Sequence, residues 1–225
     1  MPHSIRRHIR ARIQPFLWKC YSFYARKDRW HTHKGIKVLV KPSVFHPGFL
    51  ISTHLFVDFL NTQSLKNKDV LEIGTGSGLI ALSCRKAGAQ VVATDINPAA
   101  VASVLESCKV NDLDVKVVQS DLFTAIPQQF FDIIISNPPY FPKAPNDDKE
   151  RAFFCGPNFE FFKNFLANAR CYLKPRGAIF MILSDDCDLK QINEIAQSNH
   201  WEMKEVFRKK KLGEWNMIYR LKTKS

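Results

Sequence analysis

The sequence has 225 residues, 45% hydrophobic and 24% charged, enough for one globular domain with a short extension and no staple of disulfides or metal. No apolar run approaches the roughly 18–20 residues of a membrane span, the longest (178–183) being strand-sized, and the aromatic content excludes a disordered chain. The net charge of +12 is uneven: residues 1–41 hold eleven Lys and Arg against one acid, Asp28, whereas the remaining 184 hold 22 basic and 20 acidic side chains.

That division reads as a basic extension over 1–35 and a nearly neutral domain over 36–225. In the extension Ile5, Ile9, Ile13, Leu17, Tyr21 and Tyr24 recur three and four residues apart with arginines between them, the pattern of a basic amphipathic helix kinked at Pro15. Such a helix can dock its apolar stripe on the domain. It can also track RNA phosphates, with Trp18, Tyr21, Phe23, Tyr24 and Trp30 interleaved, lie on a membrane surface, or serve as an organelle transit peptide. The apolar pattern runs into the next strand without a cleavage boundary, which ranks the RNA reading above the transit reading.

From residue 36 onward strands and helices alternate. A strand is predicted over 36–40 and a helix from Ser52 or Thr53 to Leu60. A buried strand over 70–73 runs into Gly74-Thr75-Gly76-Ser77-Gly78, followed by a helix over 79–86. A strand over 90–94 leads to Asn97 as helix cap, with Pro98 at the first helical position, where its missing N–H costs nothing. Strands over 115–119 and 132–136, a helix over 159–173, a strand over 177–184, a helix over 189–198 and a hairpin of 201–208 with 215–221 complete the chain. The alternation predicts an α/β, doubly wound, mostly parallel sheet with one antiparallel strand at or near its edge. The six cysteines (Cys20, Cys84, Cys108, Cys155, Cys171, Cys187) form no C-x-x-C pair; buried free thiols, no metal site and a reducing, cytoplasmic setting are expected.

Strand, glycine-rich turn and helix make a cradle for a phosphate or a nucleoside: glycines admit a ligand close to the backbone, and the helix start offers free N–H groups. The dinucleotide fingerprint wants its third glycine at 79, which is Leu79; here it falls at Gly78. Asp95 closes the second strand about twenty residues on, where a carboxylate can take both ribose hydroxyls. Asp121 follows the third strand, so four features share one sheet edge.

Val70-Leu71-Glu72-Ile73-Gly74-Thr75-Gly76-Ser77-Gly78, Asp95-Ile96-Asn97-Pro98-Ala99-Ala100-Val101, Asp121-Leu122-Phe123 and Phe131-Asp132-Ile133-Ile134-Ile135-Ser136-Asn137-Pro138-Pro139-Tyr140 together resemble the class I S-adenosylmethionine (SAM)-dependent methyltransferases. More narrowly they are similar to the small-domain branch that includes release-factor glutamine methyltransferases and several RNA base N-methyltransferases. The similarity covers residues 44–200. It implies a Rossmann-like fold with a seven-stranded, mostly parallel sheet, helices on both faces, and SAM as cofactor. By resemblance Gly74, Thr75, Gly76 and Gly78 hold the methionine part, Asp95 and Ile96 the ribose side, and Asp121 and Leu122 the adenine. Glu72 orients the amino end through water, and Asn137 borders both cofactor and substrate.

The chemistry explains the Asn137-Pro138-Pro139-Tyr140 motif. Attack on a sulfonium methyl needs a nitrogen lone pair aimed in line, but an exocyclic base amine or a glutamine amide has that pair delocalised. The Asn137 oxygen and the Pro138 carbonyl can accept its N–H bonds and pull the nitrogen toward a pyramid; Pro138 and Pro139 stiffen the turn, and Tyr140 can stack on the planar group. The substrate expected is an exocyclic base amine of RNA, tRNA or rRNA. The runner-up is a protein amide of a release factor or ribosomal protein, and a SAM-binding RNA- or membrane-surface protein without catalysis is the alternative of another class. Two departures from the release-factor enzymes favour RNA: segment 45–53 has no acid, and only about 35 residues precede the domain. Arg208-Lys209-Lys210-Lys211 reads either as a phosphate contact or as a solvated turn. His46 lines the substrate entrance or is structural, and Phe153 or Phe154 can wall the pocket.

Overall fold

The computed structural model describes residues 26–48, 51–211 and 213–224, so the amphipathic helix expected over 5–24 lies outside the described residues. Strands β1 (Arg29–His33) and β2 (Ile36–Val40) form an antiparallel hairpin. Its two-residue turn, Lys34 and Gly35, has φ of 48° and 70°, the left-handed pair whose twist suits a tight hairpin. Residues 29–35, read from the sequence as the end of the extension, are thus strand and turn.

The main sheet has seven strands: β3 (Asp69–Ile73), β4 (Gln90–Asp95), β5 (Lys116–Gln119), β6 (Phe131–Ser136), β7 (Leu173–Ser184), β8 (Trp201–Lys211) and β9 (Glu214–Thr223). Their order is β5-β4-β3-β6-β7-β9-β8, and β9 alone among them runs against the rest. The connections reverse direction between β3 and β6, and at such a switch point open α/β sheets place their ligands beyond the strands' carboxyl ends.

Helices α1 (Ile51–Leu60), α2 (Leu79–Lys86) and α3 (Pro98–Asn111) cover one face with the β1–β2 hairpin; α5 (Glu160–Ala169) and α6 (Leu189–Ser198) cover the other. The side chains of β3 alternate between the two cores: Val70 packs with Phe56 and Leu82, while Leu71 and Ile73 pack with Phe162 and Phe165. All of these are essentially buried, and each contributes about 1.5–3 kcal/mol over an exposed position. Trp201 is fully buried and its indole N–H donates to the Leu166 carbonyl at 2.9 Å. The caps behave as the residue types demand: Asn97 accepts from the Ala99 amide with Pro98 next to it, and Asp188 accepts from the Gln191 amide.

Two predicted boundaries move. The helix expected over 159–173 ends at Ala169, a 3₁₀ turn spans Arg170–Tyr172, and β7 begins at Leu173. Pro175 offers no ladder N–H, so it sits where the β6–β7 register shifts between Leu173 and Ala178, with Arg176 at φ 70°. The other change is a single helical turn, α4 (Asp148–Arg151), in the loop after β6. No helix among the described residues is long and apolar enough to cross a membrane, and the five described cysteines are free thiols, Cys171 exposed. Among the described residues no cluster of His, Cys, Asp and Glu is arranged to hold a metal.

Candidate active site

A cavity of about 350 Å³ opens at the carboxyl ends of β3, β4 and β6, within the range of small-molecule sites. Glu72, Gly74, Thr75, Gly76, Asp95, Ile96, Asp121, Leu122, Asn137, Pro138, Pro139 and Tyr140 all line it. The exception among the predicted site residues is Gly78. It caps α2 with φ 81°, and a Cβ there would lie 2.8 Å from Cγ2 of Val104, so this glycine lets α2 pack on α3 and does not face the cavity.

The glycine turn is anchored from beneath. The amides of Gly74 and Thr75 both donate to the Thr94 carbonyl at 2.9 Å, and the Gly76 amide donates to Oδ2 of Asp95 at 2.8 Å. Gly74 and Gly76 adopt φ of 75° and 54°, and a Cβ on either would meet nothing within 4 Å. Their bare backbone is therefore a wall of the cavity that a ligand can approach closely.

Glu72 does more structural work than the resemblance implied. Its carboxyl is 1% exposed, accepts from the Thr75 hydroxyl at 2.7 Å and from the Ala81 amide in the first turn of α2, and so ties β3, turn and helix together. Burial pushes this carboxyl up to about 8 against those two hydrogen bonds, with the charge of Asp95 adding to the rise. Asp95 accepts on both oxygens, from Gly76 and from the Asn97 amide at 2.9 Å, and burial raises its pKa too. The Ile96 amide adds a third hydrogen bond, so of the carboxylate's roughly four lone-pair sites one is left for a ligand hydroxyl. Asp121 is exposed, and the turn that carries it is fixed by Ser120, whose hydroxyl donates to the Leu122 carbonyl at 2.9 Å and accepts from the Ala125 amide at 3.0 Å.

The loop after β6 is held at four points. The Ser136 hydroxyl donates to the Ile73 carbonyl at 3.0 Å, tying the end of β6 to β3. The amides of Tyr140 and Phe141 donate to the Phe153 carbonyl at 3.1 and 3.0 Å, stapling the loop to segment 153–156. The Tyr140 hydroxyl shares a hydrogen bond with Ser184 at the end of β7, and burial pushes its phenol up. Nδ2 of Asn137 donates to Oγ1 of Thr53 at 3.3 Å.

Thr53, Ser43, Phe45, Pro47, Asp148 and Arg151 also line the cavity, together with Phe153 and Phe154, both of which had been candidates from the sequence. Phe45 and Phe153 meet edge to face, centroids 5.2 Å apart. Thr53 carried a helix-start signal only, so its reach to Asn137 was invisible in the sequence. His46 is buried and accepts from the Gly48 amide on Nδ1 at 3.1 Å, the structural alternative of its two readings.

These residues fit SAM. The ligand carries a sulfonium and an ammonium, and besides the buried Glu72 the lining holds Asp95, Asp121, Asp148 and Glu160 against one base, Arg151. In the arrangement the resemblance implies, the bare Gly74 and Gly76 backbone would take the methionine part, Asp95 the ribose side and Asp121 the adenine amine.

Comparison with known proteins agrees. The family model described as the methyltransferase small domain matches residues 35–220. A protein of Methanocaldococcus jannaschii provisionally named a protein N5-glutamine methyltransferase is 36% identical over 161 residues, 67% of this chain and 77% of that one. The release factor glutamine methyltransferase of Deinococcus radiodurans is 34% identical over 141 residues, 58% of this chain and 50% of that one, so the chain spans half that relative's length. Among solved structures, the E. cuniculi Mtq2–Trm112 complex, described as responsible for methylating the eRF1 termination factor, superposes with TM-score 0.62 at 25% identity, over 81% of this chain and 99% of that one. A 16S rRNA N2 methyltransferase of T. thermophilus, solved with AdoMet and guanosine, shares the fold at TM-score 0.63 and 20% identity, over 86% of this chain and 49% of that one. The chain belongs to the methyltransferase small domain family and is a SAM-dependent methyltransferase with the class I, Rossmann-like fold.

Proposed function

We propose that the protein methylates a planar NH2 nitrogen and that this nitrogen is an exocyclic base amine of RNA. SAM supplies an electrophilic methyl on sulfur. That methyl would pass to the substrate nitrogen, with the S–C electron pair left on sulfur and the nitrogen's proton released to water. The Asn137 oxygen and the Pro138 carbonyl accept the two N–H bonds as positive charge builds on nitrogen, and the proline turn, with Pro138 buried and Pro139 half-buried, keeps both acceptors fixed beforehand. Tyr140, Phe45 and Phe153 give the mouth an aromatic wall for a base.

The observation that favours RNA is the tip of the β8–β9 hairpin. Arg208, Lys209, Lys210 and Lys211 are all exposed there, and Arg208 and Lys210 lie over the Trp215 ring at 5.6 and 5.4 Å. This tip stands beside the catalytic loop: the Trp215 amide donates to Asp185 at 3.0 Å, one residue from the Ser184 that holds Tyr140. Asp186 and Glu214 lie on the Tyr140 side, which keeps a phosphate on the outer strand and the base toward the cavity. Replacing Lys209, Lys210 and Lys211 by Ala is expected to weaken RNA binding, to lower the slope of log K against log salt by about 2–3, and to leave SAM affinity intact. An unchanged slope with unchanged transfer to RNA would contradict the RNA reading.

A second reading has its own support. The M. jannaschii relative and the eRF1-methylating complex both carry names that point to protein methylation, and a glutamine amide presents the same planar NH2.

A further inference from the structure

We propose that Thr53 is a positioning residue for Asn137, and that the histidines of the β1–β2 hairpin brace it. The inference rests on the reading that Asn137 accepts a hydrogen bond from the substrate nitrogen. A carboxamide is nearly symmetric in shape, so it serves as an acceptor only if something fixes which end faces the substrate. In this structure Thr53 holds the amide: its Oγ1 takes the Nδ2 hydrogen bond at 3.3 Å, with the amide nitrogen toward α1 and the oxygen left for the cavity. Thr53 is 7% exposed and lines the same cavity, so water competes poorly for this bond.

The first turn of α1 is in turn pinned from outside. His54, the next residue, meets Nε2 of His31 with its own Nε2 at 2.9 Å, and it stacks on His33 with ring centroids 4.1 Å apart and planes within 3°. His31 and His33 belong to β1, which pairs with β2 along its length, and β2 is tied to α3 through the Leu39 amide and Ser107 at 2.8 Å. A continuous path therefore runs from α3 through the hairpin and His54 to Thr53 and Asn137. Two histidines of β1 thus grip α1 through His54, His31 by a directed N···N contact and His33 by stacking.

The test measures methyl transfer from tritiated SAM into whichever fraction, RNA or protein, of a lysate lacking the gene accepts label. Thr53→Val keeps the shape and removes the acceptor; transfer rate is expected to fall about 3- to 10-fold, with SAM affinity and melting temperature unchanged and Thr53→Ser restoring the rate. His54→Ala should reproduce the loss in part. Full activity in Thr53→Val would overturn the inference, as would a rate loss that merely follows lost SAM binding or lost folding. Asn137→Ala separates the two layers: that variant is expected to bind SAM normally and to lose at least about 10²-fold in transfer. If it transfers normally, the reading of Asn137 fails. If it is inactive while Thr53→Val is normal, only the positioning role fails. Side-chain amide exchange of Asn137, faster in Thr53→Val than in the parent, gives a readout independent of turnover.

Discussion

At the scale of single residues, the site separates side chains that meet a ligand from those that hold the ones that do. Asp95 and Asn137 present polar atoms to the cavity, whereas Glu72 spends its hydrogen bonds on Thr75 and Ala81. With its pKa pushed up to about 8, Glu72 is mostly protonated at pH 7 in the folded protein and ionised in the unfolded chain. The folded state therefore binds the extra proton, and this residue's contribution to stability falls as pH rises from about 4.5 toward 8. Glu72→Gln removes that dependence: its melting temperature should match or exceed the parent at pH 8, while Glu72→Ala should lose about 2–4 kcal/mol by leaving buried donors unpaired beside a cavity. A Gln variant that melts well below the parent at pH 8 would show that an ionised carboxylate is needed there.

At the scale of elements, the glycine turn shows how one short segment serves two purposes. Gly74 and Gly76 open the cavity wall, and Gly78 brings α2 against Val104 of α3. Gly78→Ala should cost about 2–3 kcal/mol from left-handed strain and overlap, and Val104→Ala added to it should recover part of that loss; chemical denaturation of the single and double variants checks the coupling. A strictly additive pair would place the strain elsewhere. The strand–turn–helix order, the Asn97 cap and both boundaries of α2 were legible because local hydrophobic period and capping chemistry decide them. The β1 strand was not, since its face toward α1 carries His31 and His33 in place of an alternating aliphatic pattern. The start of β7 at Leu173 was hidden by Pro175, which reads locally as a helix exit and is tolerated in the strand only through the register shift that the neighbouring β6 allows. The residues that line the cavity could be read because one sheet edge collects them. Thr53 could not, since its bond to Asn137 spans 84 positions and depends on how α1 docks.

At the scale of the whole molecule, charge is sorted by place. Acids concentrate in the cavity, where the cofactor brings positive charge, and cations line the outer hairpin strand and the N-terminal sequence. That sorting is the pattern expected of an enzyme that holds a cationic cofactor inside and a polyanion outside. The fold leaves the acceptor open, because a base amine and a glutamine amide present the same planar NH2. The most direct measurement is transfer from methyl-tritiated SAM into a lysate lacking the gene, followed by separate RNase and protease digestion. The account predicts label that RNase releases and protease does not. Label released by protease alone would contradict the RNA assignment and make the protein amide the substrate.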